Sequence, residues 1–186
     1  LIIILLLALG GGAFSAAAAL SAWTDLFQPR FGAWHQEPAF GNPDSNPYVA
    51  ALQHMSPRIL KGGEEASVFI ASTDDGGARL DPACTYLLEG RSPLARLFTL
   101  RAEDGAGRPI LAATPLPSKL HSDLLLFEGS TYRISVSARA QPGNWLAIPA
   151  GSEFLLVLTT YDAALADGLA ASGFAPPAII KGECTP

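Results

Sequence analysis

Ser118, His121 and Asp123 occupy one six-residue stretch and are the residue types that nucleophilic catalysis uses: a hydroxyl, an imidazole base and an orienting carboxylate. On an extended chain Ser118 and His121 point to opposite faces, and Asp123 shares the face of His121. A triad is defined by roles in space rather than nearness in sequence, and no Gly-x-Ser-x-Gly elbow is present. His35, His54 and His121 are scattered, without His-x-x-x-His spacing, and the two Cys do not form Cys-x-x-Cys, so no metal site is expected. Asp74-Asp75-Gly76-Gly77 offers carboxylates to calcium but lacks the alternating ligands of a calcium loop, and reads as a hairpin turn. Gly105-Ala106-Gly107 has neither the strand-loop-helix frame nor the Lys of a phosphate cradle. Glu89, Glu128 and Glu153 are acids of the kind glycoside chemistry needs, but no spacing pairs any two of them. No catalytic residue and no cofactor is assigned.

Stacking is a second chemistry. Trp34 and Trp145 carry aromatic faces suited to sugar rings, and Asn144, following Pro142-Gly143, adds a polar contact. With His121 they make the candidate binding set, for a glycan or another small molecule. The competing reading packs Trp145 into a core and uses Asn144 to satisfy a turn. Twelve Lys and Arg against 17 Asp and Glu give a net charge of -5, which argues against a phosphate-neutralising face and hence against nucleic acid as a partner.

The elements that must position these residues follow from patterning. Residues 24–45 read as an irregular lead-in broken by Pro29, Pro38 and Pro43. A short helix is expected from Pro47, capped by Asp44 or Asn46, until Pro57. Short strands between turn signals come next: Ser67–Ala71, Cys84–Glu89, Arg96–Arg101, Leu124–Phe127, Thr131–Arg139, Phe154–Leu158 and Ala178–Lys181. In Thr131–Arg139, Tyr132, Ile134, Val136 and Ala138 alternate with polar residues, so one face is dry and the other wet. Phe154–Leu158 is continuously apolar, as expected of a strand covered on both faces. The fold class is all-β, an antiparallel β-sandwich or jelly-roll-like domain over residues 46–186.

Ahead of it, residues 1–23 contain no charge and begin with seven Leu and Ile. They predict a transmembrane or signal helix, because lipid leaves the backbone no other hydrogen-bond partner. A small-residue site at Ala16–Ala19 would suit cleavage, whereas the full length and Trp23 suit an uncleaved anchor, which is favoured. Either reading exports residues 24–186, and two Cys in an exported chain most simply form one disulfide, Cys84–Cys184.

Several segments also carry a resemblance. They are Asn46-Pro47-Tyr48, Glu64-Glu65-Ala66, Cys84-Thr85-Tyr86, Arg96-Leu97-Phe98-Thr99-Leu100, Glu128-Gly129-Ser130 and Gly143-Asn144-Trp145-Leu146. The stretch from Glu153 to Asp162 and the closing Pro176-Pro177-Ala178-Ile179 complete the order. In this order the chain resembles the bacterial domain-of-unknown-function 1214 family, in its short, membrane-anchored form with a paired Cys, over roughly residues 40–184. It departs from the family pattern at Leu97–Leu100, at Glu128 and at Ala147. The resemblance implies a β-rich, jelly-roll-like domain and supports the anchor; it transfers no activity and no catalytic residues. The expectation is a cell-envelope domain tethered to the bacterial inner membrane, lying on the periplasmic side and acting as a binding or scaffolding module. The alternative is an envelope hydrolase acting through unassigned acids and His121.

Overall fold

The apolar N-terminal run forms one helix, α1 (Ile2–Phe27). At 1.5 Å per residue it is about 39 Å long, more than a bilayer core of roughly 30 Å requires. Its side chains from Ile2 to Ala19 are exposed, and this window is long and apolar enough to cross a membrane. The computed structural model describes residues 2–27, 30–37, 66–91, 97–161 and 175–184. The short helix expected from Pro47, with His54, lies outside the described residues, as do Pro29, Pro38 and Pro43.

Eleven strands are described. They are β1 (Arg30–Phe31), β2 (Trp34–Gln36), β3 (Ser67–Ala71), β4 (Cys84–Arg91), β5 (Leu97–Glu103), β6 (Lys119–His121), β7 (Phe127–Glu128), β8 (Thr131–Ser137), β9 (Trp145–Ala147), β10 (Leu155–Tyr161) and β11 (Ala178–Cys184). One sheet runs β1-β2-β3-β10-β5-β6 and the other β11-β4-β8-β7, with β9 added to β8. Pairing is antiparallel throughout except between β8 and β9, which run parallel. The architecture is thus sandwich-like, with the chain passing repeatedly from one sheet to the other.

The strands with strong patterning lie where the sequence puts them, to within a few residues. β8 alternates as expected, burying Tyr132, Ile134 and Val136, and β10 is buried on both faces between β3 and β5. Two expectations need correction. The lead-in at 24–45 is not wholly irregular: α1 continues through Phe27, and Arg30–Gln36 is a hairpin added to β3. Its turn is made at Gly32, whose φ of 60° favours glycine. Leu124–Phe127 is not one strand, because Ser122–Leu124 forms a 3₁₀ turn closed by the Leu125 N–H donating to the Ser122 carbonyl. Only Phe127 and Glu128 pair with β8.

The core between the sheets is built from Trp34, Phe69, Leu100, Leu156 and Leu158 on one side and Tyr86, Leu88, Ile134, Val136 and Ile179 on the other. Phe98 and Tyr132 meet across it with ring centroids 5.2 Å apart. Gly90 is required by close approach, since a Cβ there would lie 2.6 Å from the Tyr132 ring. Burial pushes the Tyr132 phenol above its ordinary value, and desolvation raises Tyr86 as well, despite the Asp81 N–H donated to its oxygen. A phenol whose folded pKa exceeds its unfolded value stabilises the fold at all lower pH, and that stability is lost as pH rises past the unfolded value, near 10. Stability should therefore fall steeply above about pH 10. Tyr132→Phe should flatten that limb in urea titrations at pH 9 to 11; an unchanged slope would exclude Tyr132 as a contributor.

β11 holds to the body at two points besides its ladder to β4. The Asp75 carboxylate accepts from the N–H of Ala33 at 3.2 Å and of Ile179 at 2.8 Å, while the Asp75 N–H donates to the Ile179 carbonyl. The Asp74–Gly77 turn, with Asp74 Oδ1 accepting from the Ala78 N–H, is thus a structural tie between the β1–β2 hairpin and β11. At the other end a disulfide joins Cys84, 3% exposed, to the exposed Cys184.

Candidate functional site

On β5, period two sends Phe98, Leu100 and Ala102 into the core and Thr99, Arg101 and Glu103 to the opposite face of the six-stranded sheet. Register places Thr159 of β10 and His121 of β6 on either side of Thr99, with Val157 and Lys119 flanking Arg101. This outer face is not a wet one. Thr99 is 2% exposed, Thr159 1% and Glu103 1%. A buried carboxylate needs a charged partner, and Arg101 supplies one, its Nε donating to Glu103 Oε1 at 2.7 Å.

The threonine pair differs. Among the described residues, neither the Thr99 hydroxyl nor the facing Thr159 hydroxyl has a hydrogen-bond partner. Each orphaned hydroxyl costs on the order of 1–3 kcal/mol when buried, so two in register call for a reason. Together with His121, half-buried on β6, they form a polar row on this face of the sheet. Further along the same face of β5, Glu103 is held by Arg101.

The residues singled out by sequence do not converge on one place. Trp34 is 1% exposed, and its Nε1 donates to the Pro177 carbonyl at 2.7 Å, so its ring faces are core surface. Trp145 is half-buried on β9, with Nε1 donating to the Ser137 carbonyl at 3.0 Å. His121, on β6, is half-buried beside Thr99. Ser118 lies outside β6, its Oγ accepting from the Ala112 N–H, and Asp123 sits in the 3₁₀ turn beside Ser122. Among the described residues no hydrogen bond joins Ser118, His121 and Asp123, and no group of three metal-ligating side chains is found. The signal for the threonine row was present but faint: two Thr, 159 and 160, close an otherwise apolar strand, and Thr99 alternates with core residues.

Asn144 acts as a splice. β7 pairs with β8 at Tyr132 and β9 pairs with it from Ser135, leaving the Arg133 carbonyl between them. The Asn144 amide donates to that carbonyl at 2.8 Å and to the Leu126 carbonyl at 2.9 Å, and accepts from the Leu126 N–H at 2.7 Å. It therefore imitates a backbone unit and makes one edge from two short strands. Asn144→Ala should cost about 1–3 kcal/mol in urea unfolding, from three partly exposed bonds. A loss below a few tenths would show that water replaces the amide.

The family described as "Protein of unknown function (DUF1214)" matches residues 65–165. Among solved structures, the VPA0106 protein from Vibrio parahaemolyticus superposes with a TM-score of 0.64 at 18% identity, over 92% of this chain and 44% of that one. A putative uncharacterized protein from Burkholderia cenocepacia gives 0.46 at 15% identity, over 95% of this chain and 43% of that one. The first likeness shows the fold. The chain spans less than half the length of either structure. No curated protein matches it in sequence.

Proposed function

The chain belongs to the DUF1214 family, and from that premise we propose that it is a membrane-tethered binding module of the bacterial cell envelope, whose ligand seat is the Thr99–Thr159–His121 row. The family carries no assigned activity, so the reading rests on the site. The observation that carries it is the pair of facing, buried hydroxyls without partners among the described residues. The ligand class they suit is a small hydroxyl-rich molecule or a glycan end. The helix α1 supplies the tether, and the disulfide favours the oxidising, periplasmic side of the inner membrane. In the same reading the alternation of strands between sheets is jelly-roll-like.

The test is a thermal-shift panel of monosaccharides, disaccharides and polyols on the full chain in detergent micelles. A ligand at a hundred times its Kd should stabilise the chain by about 2.7 kcal/mol. The Thr99→Val/Thr159→Val double variant should lose that response. If the double variant is more stable than the native chain and keeps every response, the hydroxyl pair is a packing cost and not a seat. Turnover of an added glycan, abolished by His121→Ala, would favour the hydrolase instead.

A further inference from the structure

We propose that the Cys84–Cys184 bridge is made last, on an already folded sandwich, by thiol–disulfide exchange in which Cys184 takes the incoming sulfur and Cys84 closes the bond. The proposal is independent of the ligand seat. Cys84 lies on the inward face of β4 with Tyr86 and Leu88, inside the core and 3% exposed. Hydrogen bonds fix its place without the bridge. Its N–H donates to the Asp81 carbonyl at 3.0 Å, and the Ala83 N–H donates to Asp81 Oδ1 at 2.9 Å. The Asp81 N–H in turn donates to the Tyr86 hydroxyl at 2.7 Å. Cys184 is exposed, at the end of an edge strand that pairs only with β4 among the described residues. A molecule carrying a disulfide can therefore reach one sulfur of the folded chain and not the other.

The β4–β11 ladder then presents Cys184 to Cys84. From Ala178 opposite Glu89 to Lys181 opposite Tyr86 the register is regular, and continued unbroken it would set Glu183 opposite Cys84. Instead β11 takes three residues from Lys181 to Cys184 where β4 takes two from Tyr86 to Cys84, and this shift brings the cysteines level. Gly182 lies in the shift, where a Cβ would crowd the Thr85 carbonyl oxygen at 3.1 Å. The strand is held there by contacts that need no bridge: its ladder, the Asp75 carboxylate on the Ile179 N–H, and the Trp34 Nε1 on the Pro177 carbonyl. Exchange runs in two steps. The Cys184 thiolate attacks one sulfur of the oxidant's disulfide, forming a mixed disulfide and releasing the other sulfur as a thiolate. Cys84, its thiol proton lost to water, attacks Cys184 Sγ, and the oxidant's remaining sulfur leaves as a thiolate. The chain gives up two electrons and two protons, and the oxidant departs as two thiols.

The test uses the full chain in detergent micelles, reduced and then freed of reductant, with oxidised glutathione as the disulfide. Samples quenched in acid at successive times are digested, and the cysteine peptides are weighed by mass spectrometry. Glutathione should appear first on Cys184 and then be lost as the Cys84–Cys184 bond forms. Cys84→Ser should accumulate glutathione on Cys184. Cys184→Ser should react at least about tenfold more slowly, and catch up only in urea that unfolds it. A brief pulse of iodoacetamide on the reduced, unsubstituted chain gives the same comparison if either variant fails to fold, with Cys184 labelled at least about tenfold faster than Cys84. Glutathione found first on Cys84, or equal labelling of the two thiols in a chain that keeps its native fluorescence, would overturn the proposed order. A reduced chain that has lost its native fluorescence would overturn the proposal as well, because no ladder would then present Cys184 to Cys84.

Discussion

Reducing the Cys84–Cys184 bridge should lower the unfolding free energy by about 4–5 kcal/mol, because it releases a closed loop of about 100 residues in the unfolded chain. Against a usual total of about 5–15 kcal/mol, that is a large share of the stability of the sandwich. The melting temperature should fall by roughly 10–15 °C for a domain of this size. Access to the bond is one-sided: Cys84 is in the core, but Cys184 is exposed, so a small thiol can attack without prior unfolding. The folded state should change little on reduction. The ladder from Ala178 to Lys181 and the Asp75 carboxylate on Ile179 still hold β11, and only its last residues, past the register shift after Lys181, depend on the bridge. Urea unfolding of the full chain in detergent, with and without reductant, measures the difference; Cys84→Ser/Cys184→Ser should match the reduced chain. A loss below about 1 kcal/mol would mean that the unfolded ensemble is already restricted in this loop, against the chain-entropy account.

What was legible in the sequence follows the strength of local signals. β3, β4, β8 and β10 were readable because each is long enough for alternation or continuous apolarity to stand out, and glycine-rich turns bound them. β1, β2, β6 and β9 are two or three residues long and have no period to read; they exist because neighbouring strands supply the ladder. The Cys pairing was readable from the count of two and from the expectation of export that the apolar N-terminal run carries. The candidate site was not, for a physical reason: an orphaned hydroxyl is defined by what surrounds it, and Thr99 looks like any β-branched strand residue until Thr159 is placed opposite it. Asn144 was picked out as a polar contact beside Trp145, but its part in joining β7 to β9 depends on a gap that appears only when three strands are assembled.

Trp34→Ala should cost about 3–5 kcal/mol, the usual range for truncating a buried aromatic. The side chain was a candidate for sugar stacking; it is instead the joint between three elements. It sits on β2 opposite Ala71 of β3, is buried against the core, and reaches across to β11 through its bond to the Pro177 carbonyl. Truncation removes the packing, leaves a cavity beside Ala71, and strands a carbonyl that has little water near it. Trp34→Phe separates the two effects, since it keeps much of the volume and loses the donor. It should cost less than the Ala variant, by the packing share, and still destabilise by about 1–3 kcal/mol. The Asp75 clamp acts on the same junction, joining Ala33 to Ile179 one residue from Trp34, so Trp34→Ala and Asp75→Ala should be non-additive by at least about 0.5 kcal/mol. Strict additivity in a double-mutant cycle would show that β2 and β11 are held by independent contacts. If Trp34→Ala instead left stability unchanged while abolishing a ligand response, the ring would have to be exposed in solution, contrary to its position in the sandwich.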